Sequence, residues 1–360
     1  MNNIEKLHKE WLSVQPLKPE LQRRMDQQFM FDFNYNSNHL EGNTLTYGQT
    51  KLLLLFGDTT GNASMQDYEE MKAHNVGLEM MKVEAQDKNR PLSESFIRNL
   101  NRTILVNDFY KLSRDGEYRY KIHTGIYKTR PNSVITPTGE MFDYASPEET
   151  PALMSDLVTW YNSVETGSAP SLHPIELATL FHYRYIRIHP FEDGNGRIAR
   201  LMMNYIFLRH NYPMIVVRTD DRKNYLETLH QCDLLSGKMP YDGAHSTPEQ
   251  TKPLINYIEN IVETKLTALL QLINGEIDEL IETKDDSKTG SQKSGQKSGQ
   301  KRWSEILDLI KENPAISRKE LSEKLNINPS AIQKHIQKLK KEGFIERIGG
   351  DRGGYWKITN

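Results

Sequence analysis

The sequence predicts a mainly α-helical body carrying one β-hairpin, followed by a small, separate α+β module. Three observations lead there. Long runs with apolar residues at helical spacing dominate the first 283 residues, among them PALMSDLVTWYNSVE, PIELATLFHYRYIRI and RIARLMMNYIFLRH. One stretch, 120–149, instead alternates β-branched and aromatic residues with Pro, Asn and Gly, which reads as a hairpin or extended flap. Finally, DDSKTGSQKSGQKSGQKR at 285–302 repeats SGQK and contains no large apolar residue, so it cannot bury enough surface to offset the entropy of ordering and reads as a linker.

The resulting division is a helical region over 1–112, a core with its following helices over 113–283, a linker over 284–301 and a terminal module over 302–360. With 360 residues, 37% hydrophobic and 26% charged, the composition is that of an ordinary globular protein. The net charge of −2 hides an asymmetry. From Ser287 onward sixteen Lys/Arg face eight Asp/Glu, so a basic module follows an acidic body. The single cysteine, Cys232, excludes an internal disulfide and a Cys-rich zinc site. MNNIEKLHKEWL has no apolar core suited to a signal peptide, and LLLLF at 52–56 is too short to span a bilayer. The expectation is a cytoplasmic protein with no membrane partner.

The densest chemistry lies in HPFEDGNGRIAR, residues 189–200. Gly194-Asn195-Gly196 precedes an amphipathic run in which Ile198, Leu201, Met202, Tyr205 and Ile206 share a core-facing stripe. Arg197, Arg200 and Asn204 share another face. A helix N-terminus exposes unpaired N–H groups, its dipole favours an anion, and glycines let a ligand approach the backbone. Two arginines in the first turn add forked donors for phosphate oxygens. The spacing therefore predicts a polyphosphate site. Asp193 is a hard oxygen ligand of the kind that holds Mg²⁺ beside phosphates. His189, ending the preceding helix before Pro190, is placed to act as a general base toward a hydroxyl. Phe191 is expected to pin the turn in the core.

HPFEDGNGRIAR resembles the signature of the Fic (Fic/Doc) family, HxFx(D/E)GNGRxxR, and satisfies it throughout. The resemblance extends over most of the body up to about residue 235 and implies a Fic-type helical bundle with a β-hairpin flap. It implies transfer of AMP from ATP to a Ser, Thr or Tyr hydroxyl of a protein target. His189 would take the hydroxyl proton. Asp193 would hold Mg²⁺ or Mn²⁺, while Gly194, Asn195 and Gly196 would cradle the phosphates. Arg197 would neutralise developing charge and Arg200 would hold the γ-phosphate. Gly196 stands where the family's kinase branch carries Lys, which favours nucleotidyl transfer over phosphorylation. The flap in relatives adds a strand to the target's backbone; here the candidate is Thr129 to Phe142, around Val134-Ile135-Thr136, with an ordinary structural hairpin as the alternative.

SNHLEG, residues 37–42, resembles the family's autoinhibitory motif (S/T)xxxE(G/N), within a helix expected near 30–45. It implies that Ser37 and Glu41, at i and i+4, bring Glu41 to Arg200 and into the γ-phosphate position. The segment 221–233 lies where relatives approach adenine; Asn224 and Tyr225 are candidate contacts, with Tyr225 as a core residue the competing reading.

The tail resembles a winged helix-turn-helix. Ser317 and Glu320 form a capping box, Asn328-Pro329 opens a second helix, and Ile332, Ile336 and Leu339 make its buried stripe. Ser330, Gln333, Lys334, Gln337 and Lys341 would face outward, and Phe344-Ile345 and Tyr355-Trp356 would flank a GGDRGG wing with Arg352. Such a module enters a DNA major groove or binds protein; its basic charge points to DNA. Two functions stand. One is an autoinhibited protein adenylyltransferase with ATP as co-substrate. The other is a DNA-binding regulator whose body senses nucleotide and modifies little besides itself. Target identity and oligomeric state, a homodimer included, are left open.

Overall fold

The computed structural model describes residues 2–59, 61–113, 116–135, 141–285, and 306–358 apart from 308, 312, 326–327, 342–343 and 350–353. In chain order the elements are α1 (Asn2–Ser13), α2 (Pro19–His39), α3 (Tyr47–Phe56), α4 (Met65–Gln86) and α5 (Glu94–Leu105). Strands β1 (Phe109–Leu112), β2 (Arg119–Ile122), β3 (Ser133–Ile135) and β4 (Met141–Asp143) come next. They are followed by α6 (Thr150–Glu165), α7 (Pro174–Ile188), α8 (Asn195–Arg209), α9 (Arg222–Ser236), α10 (Pro240–Ala244) and α11 (Lys252–Asp285). The last described elements are α12 (Arg318–Leu325), α13 (Pro329–Lys341), β5 (Ile345–Ile348) and β6 (Tyr355–Ile358). No helix among the described residues is long and apolar enough to cross a membrane.

The chain divides into two compact units: Met1–Leu45 with Ser64–Glu276, and Thr46–Ala63 with Ile277–Asn360. This differs from the sequence boundaries: no division falls at 112/113, and the C-terminal part of the second unit begins at Ile277 instead of after 283. α3 groups with the C-terminal module because Leu52 enters the same apolar cluster as Ile316, Leu321, Ile332 and Trp356. Asp58, just beyond α3, also pairs with Lys311 at 2.7 Å. α11 runs to Asp285, two residues into the expected linker; the rest of the linker, Thr136, Arg352 and the side chains of Ser330 and Lys341 lie outside the described residues.

In the first unit α7 and α8 form the central pair, with α4, α5 and α6 packed around them. α8 departs from its amphipathic pattern. Its apolar stripe is buried as expected, but Arg197, Arg200 and Asn204 on the other face are also buried. A helix covered on both faces places its polar side chains where each needs a partner. Asn204 finds them by donating to Arg200 O and Ile215 O and accepting from Ile215 N–H.

α7 starts at a capping box formed by His173 and Glu176, with Pro174 in the first turn. Near its end Arg187 is 1% exposed. Its guanidinium donates to Tyr183 Oη, Asp233, Gly237 O and Met239 O, which fastens the end of α9 and the start of α10 to α7. It also lies over the Phe142 ring at 4.8 Å, tying in β4.

The β region holds two antiparallel hairpins instead of one. β3–β4, with Val134 opposite Phe142, lies within the expected flap. β1–β2, with Phe109 opposite Ile122, begins before it and straddles the 112/113 boundary. The exposed Tyr110 and Leu112 alternate with partly buried Phe109 and Lys111, a half-buried period that FYKL is too short to signal.

In the second unit Ser317 and Glu320 make the expected reciprocal cap, and Ile332, Ile336 and Leu339 are buried. Gln333, Lys334 and Gln337 are exposed on α13. β5 and β6 pair antiparallel, with Arg347 opposite Trp356.

His182 sits inside the first unit, fully buried, with Nε2 2.8 Å from Tyr225 Oη. Burial pushes its pKa down to about 4. The unfolded chain then binds the proton first, so stability is full above pH 6.5 and falls as pH drops toward 4. At pH 5 this one group removes about 2 kcal/mol. Urea unfolding at pH 7.5 and pH 5 checks it: His182→Gln should weaken the pH dependence by roughly that amount.

Candidate active site

The site begins where α7 ends. His189 takes φ 51° and ψ 59°, a left-handed conformation, and closes the helix through its N–H to Tyr185 O at 2.9 Å. Pro190 cannot continue the helix. Phe191, 1% exposed, anchors the turn in the core, burial worth roughly 1.5–3 kcal/mol. Asn195 then stitches the loop shut. Its Oδ1 accepts from Phe191 N–H at 3.0 Å and its Nδ2 donates to Phe191 O at 2.7 Å. The Asn195 side chain is thus spent on the loop, which leaves its backbone for the expected phosphate cradle.

Gly194, the N-cap of α8, has φ 81°, and a β-carbon there would press on Asn101 and Ile104. Asn101, from α5, braces the same loop. It donates to Asp193 O at 2.9 Å and accepts from Gly125 N–H at 2.8 Å. Neither Asn101 nor Gly125 carries a motif. Their role arises from tertiary packing.

Arg200 is 2% exposed. Nε donates to Ser37 Oγ at 3.1 Å, and Nη2 donates to Ser37 O and to Glu41 Oε1, both at 2.7 Å. Ser37 lies in the last turn of α2, while Glu41 lies just past the helix in the turn after His39. The expected pair is brought together, but by a helix end and a turn rather than by one helical face. Burial raises the Glu41 pKa; the charge and hydrogen bond of Arg200, with Arg197, outweigh it and leave the carboxyl below its ordinary value. The carboxylate rests on the α8 N-terminus so closely that a β-carbon on Gly196 would overlap Oε1.

Arg197 donates to Glu70 and Asp193, both at 3.4 Å. Its buried Nε has no hydrogen-bond partner among the described residues. Asp193 also meets Lys111 from β1. Burial raises the Asp193 pKa, but Lys111 and Arg197 overcome this and hold it below the usual carboxylate range. Neither Lys111 nor Glu70 was legible as a site residue.

His189 Nδ1 lies 3.3 Å from Ile186 O. A carbonyl only accepts, so Nδ1 carries the proton and Nε2 keeps its lone pair. Burial, with a contribution from Lys128, pushes the imidazole pKa down to about 4, so it is neutral near pH 7. Tyr144 stacks on the ring, with centroids 4.0 Å apart. Tyr225 is a core residue bonded to His182, and Asn224 Nδ2 donates to Asp221 Oδ1 at 2.6 Å.

A neutral, partly buried histidine stands beside a helix N-terminus that has no side-chain cap, with two arginines in that helix's first turns. Residues 91–207 match the Fic/DOC family, and 304–346 match a winged helix-turn-helix DNA-binding family. A Fic domain containing signaling protein from Bacteroides thetaiotaomicron is 59% identical, with a TM-score of 0.71 over 76% of this chain and 97% of that one. The chain belongs to the Fic/DOC family. It is 26% identical over 265 residues to protein adenylyltransferase fic-1 of Caenorhabditis elegans, covering 73% of this chain and 46% of that protein. It is 28% identical over 211 residues to protein adenylyltransferase Fic of Nematostella vectensis, covering 59% and 45%. The chain spans about half the length of the curated relatives it matches.

Because Asn195 satisfies two buried main-chain groups, Asn195→Ala should cost about 2–4 kcal/mol, on the order of two lost bonds with their partners stranded. Urea unfolding of the variant measures it; a loss below about 0.5 kcal/mol would mean the loop does not depend on this side chain.

Proposed function

We propose that the chain is a protein adenylyltransferase held in check by Glu41, acting on a Ser, Thr or Tyr hydroxyl with ATP as co-substrate. The observation that carries this reading is His189: an imidazole held neutral, its Nδ1 proton committed to Ile186 O, beside the α8 N-terminus. Nε2 accepts the target's hydroxyl proton. The hydroxyl oxygen bonds to the α-phosphorus of ATP, the bond from that phosphorus to the bridging oxygen breaks, and pyrophosphate leaves. The backbone N–H groups at 195–197 receive phosphate oxygens, with Arg197 and Arg200 as fixed cations that need no reorganisation.

A divalent ion fits this donor set. Asp193 already gathers cationic groups, and a single carboxylate suffices where phosphates and water complete the coordination. Among the described residues no cluster of three or more His, Cys, Asp or Glu could hold a metal unaided. Asp193 would therefore hold Mg²⁺ or Mn²⁺ together with the nucleotide, and the bound ion supplies charge neutralisation across the phosphates.

Glu41 opposes this arrangement. Its carboxylate takes a donor of Arg200 and covers Gly196, where the γ-phosphate would need both. A charge-assisted hydrogen bond contributes about 1.5–3 kcal/mol, and Glu41 is 37% exposed, so the lower end applies. Glu41→Gly should then raise transfer about tenfold. ATP labelled at the α- or the γ-phosphate, supplied with Mg²⁺ and cell extract, tests the reading. Protein should take up α-label only, more with Glu41→Gly and none with His189→Ala. Uptake of γ-label, or α-label uptake by His189→Ala equal to wild type, would defeat it.

The second unit supports a further role in DNA binding. A 460 Å³ groove between α12, α13 and β5–β6 is lined by Arg318, Lys319, Lys340 and Arg347 with no acidic residue. Such a groove suits backbone phosphates. The full chain should bind duplex DNA with an affinity that falls as salt rises, and Arg318→Ala with Lys340→Ala should reduce the logarithmic salt slope by about 2. An unchanged slope in a fluorescence-anisotropy titration would remove the groove from the interface.

A further inference from the structure

Both ends of the β3–β4 hairpin converge on His189. Before the hairpin, Lys128 donates its main-chain N–H to Pro190 O at 2.8 Å, and its side chain turns inward, 3% exposed. Nζ reaches Ile188 O at 3.0 Å, His189 O at 2.9 Å and Asn132 Oδ1 at 2.8 Å. Asn132 in turn donates to Phe191 O at 3.1 Å and to His189 O at 3.4 Å. After the hairpin, Tyr144 lies flat on the imidazole, 11° from parallel.

Two physical problems meet at this point. A non-glycine residue is disfavoured in the left-handed region, so His189 must be held there by its surroundings. The last carbonyls of α7 also lack helical partners and carry the negative end of its dipole. A buried cation answers both. The three acceptors around Nζ match the three N–H bonds of an ammonium, whereas a neutral amine has two. Burial outweighs the attraction of Glu149 and pushes the lysine pKa down to about 7, so holding the charge here carries a desolvation cost. Closing a loop does not require so costly a group. Fixing the carbonyl of the residue that carries the reacting imidazole does.

We propose that Lys128 is a positioning residue for the transfer reaction: its ammonium holds His189 in the left-handed conformation and, with Asn132 and Tyr144, ties the imidazole to both ends of the β3–β4 hairpin. This rests on His189 acting as the base. A lysine that merely completed the helix terminus would support folding without governing the ring. The variants Lys128→Met, which keeps the aliphatic stem, and Lys128→Arg, which keeps the charge, separate the two roles.

In a Glu41→Gly background, Lys128→Met should lower kcat for α-label transfer about tenfold or more while KM for ATP stays within about twofold, and Lys128→Arg should recover most of the loss. A second readout needs no activity. The His189 ring signals in a ¹H–¹³C NMR spectrum of the full chain should shift in Lys128→Met and return in Lys128→Arg, with the His182 signals unmoved. A Lys128→Met protein with parental kcat and an unshifted His189 signal overturns the proposal. So does a loss of kcat that tracks thermal stability and moves His182 equally. If the Glu41→Gly parent transfers no label but the His189 signal responds as described, the proposed activity fails while the control of His189 by Lys128 stands.

Discussion

An arginine that is almost wholly buried must be paired, and Arg200 dictates much of the arrangement around it. Desolvating a guanidinium costs several kcal/mol unless its donors are met. Here Ser37 and Glu41 meet them, which draws the end of α2 onto the N-terminus of α8. In the polar run NYNSNH at 34–39, Asn34, Asn36, Ser37 and Asn38 are buried. Asn34 pairs with Asn75 and His74, and Asn36 accepts from Thr219, so each amide finds a partner before the helix reaches Arg200. An anion site thus arrives with its own internal anion.

The histidine depends on a different economy. Its conformation is locally unfavourable and is held by Lys128 and Asn132, some sixty residues earlier in the chain. Its protonation state follows from burial, and its tautomer from one carbonyl of the preceding helical turn. Asn101 and Asn195 supply the remaining stitches of the loop between α7 and α8. Four separated segments hold the backbone beneath the imidazole.

The helices α6, α7 and α8, the cap at Ser317, and the apolar stripe of α13 were legible because each depends on residues within a turn or two of one another. His189, Asp193, Arg197 and Arg200 were legible because their spacing converges on one helix terminus. Lys111, Asn101, Lys128, Asn132 and Tyr144 were not, since nothing in their neighbouring residues distinguishes a site contact from an ordinary surface side chain. The β1–β2 hairpin escaped notice because a four-residue strand exposed on alternate positions has no statistical contrast with a loop.

By itself, then, the sequence determined the helical body, the basic terminal module, the glycine-flanked start of α8 and the charged residue types gathered there. These are properties of short-range pattern, set by periodicity, capping and the chemistry of individual side chains. Only the tertiary structure decided that α8 is buried on both faces, that Glu41 reaches Arg200 from a turn beyond α2, that Asn195 is consumed by its own loop, and that α3 belongs with the second unit. Each of those outcomes turns on which distant group satisfies a buried charge or fills an apolar gap. That choice is made when the chain packs, because the cost of an unpaired polar group is incurred only once water is gone.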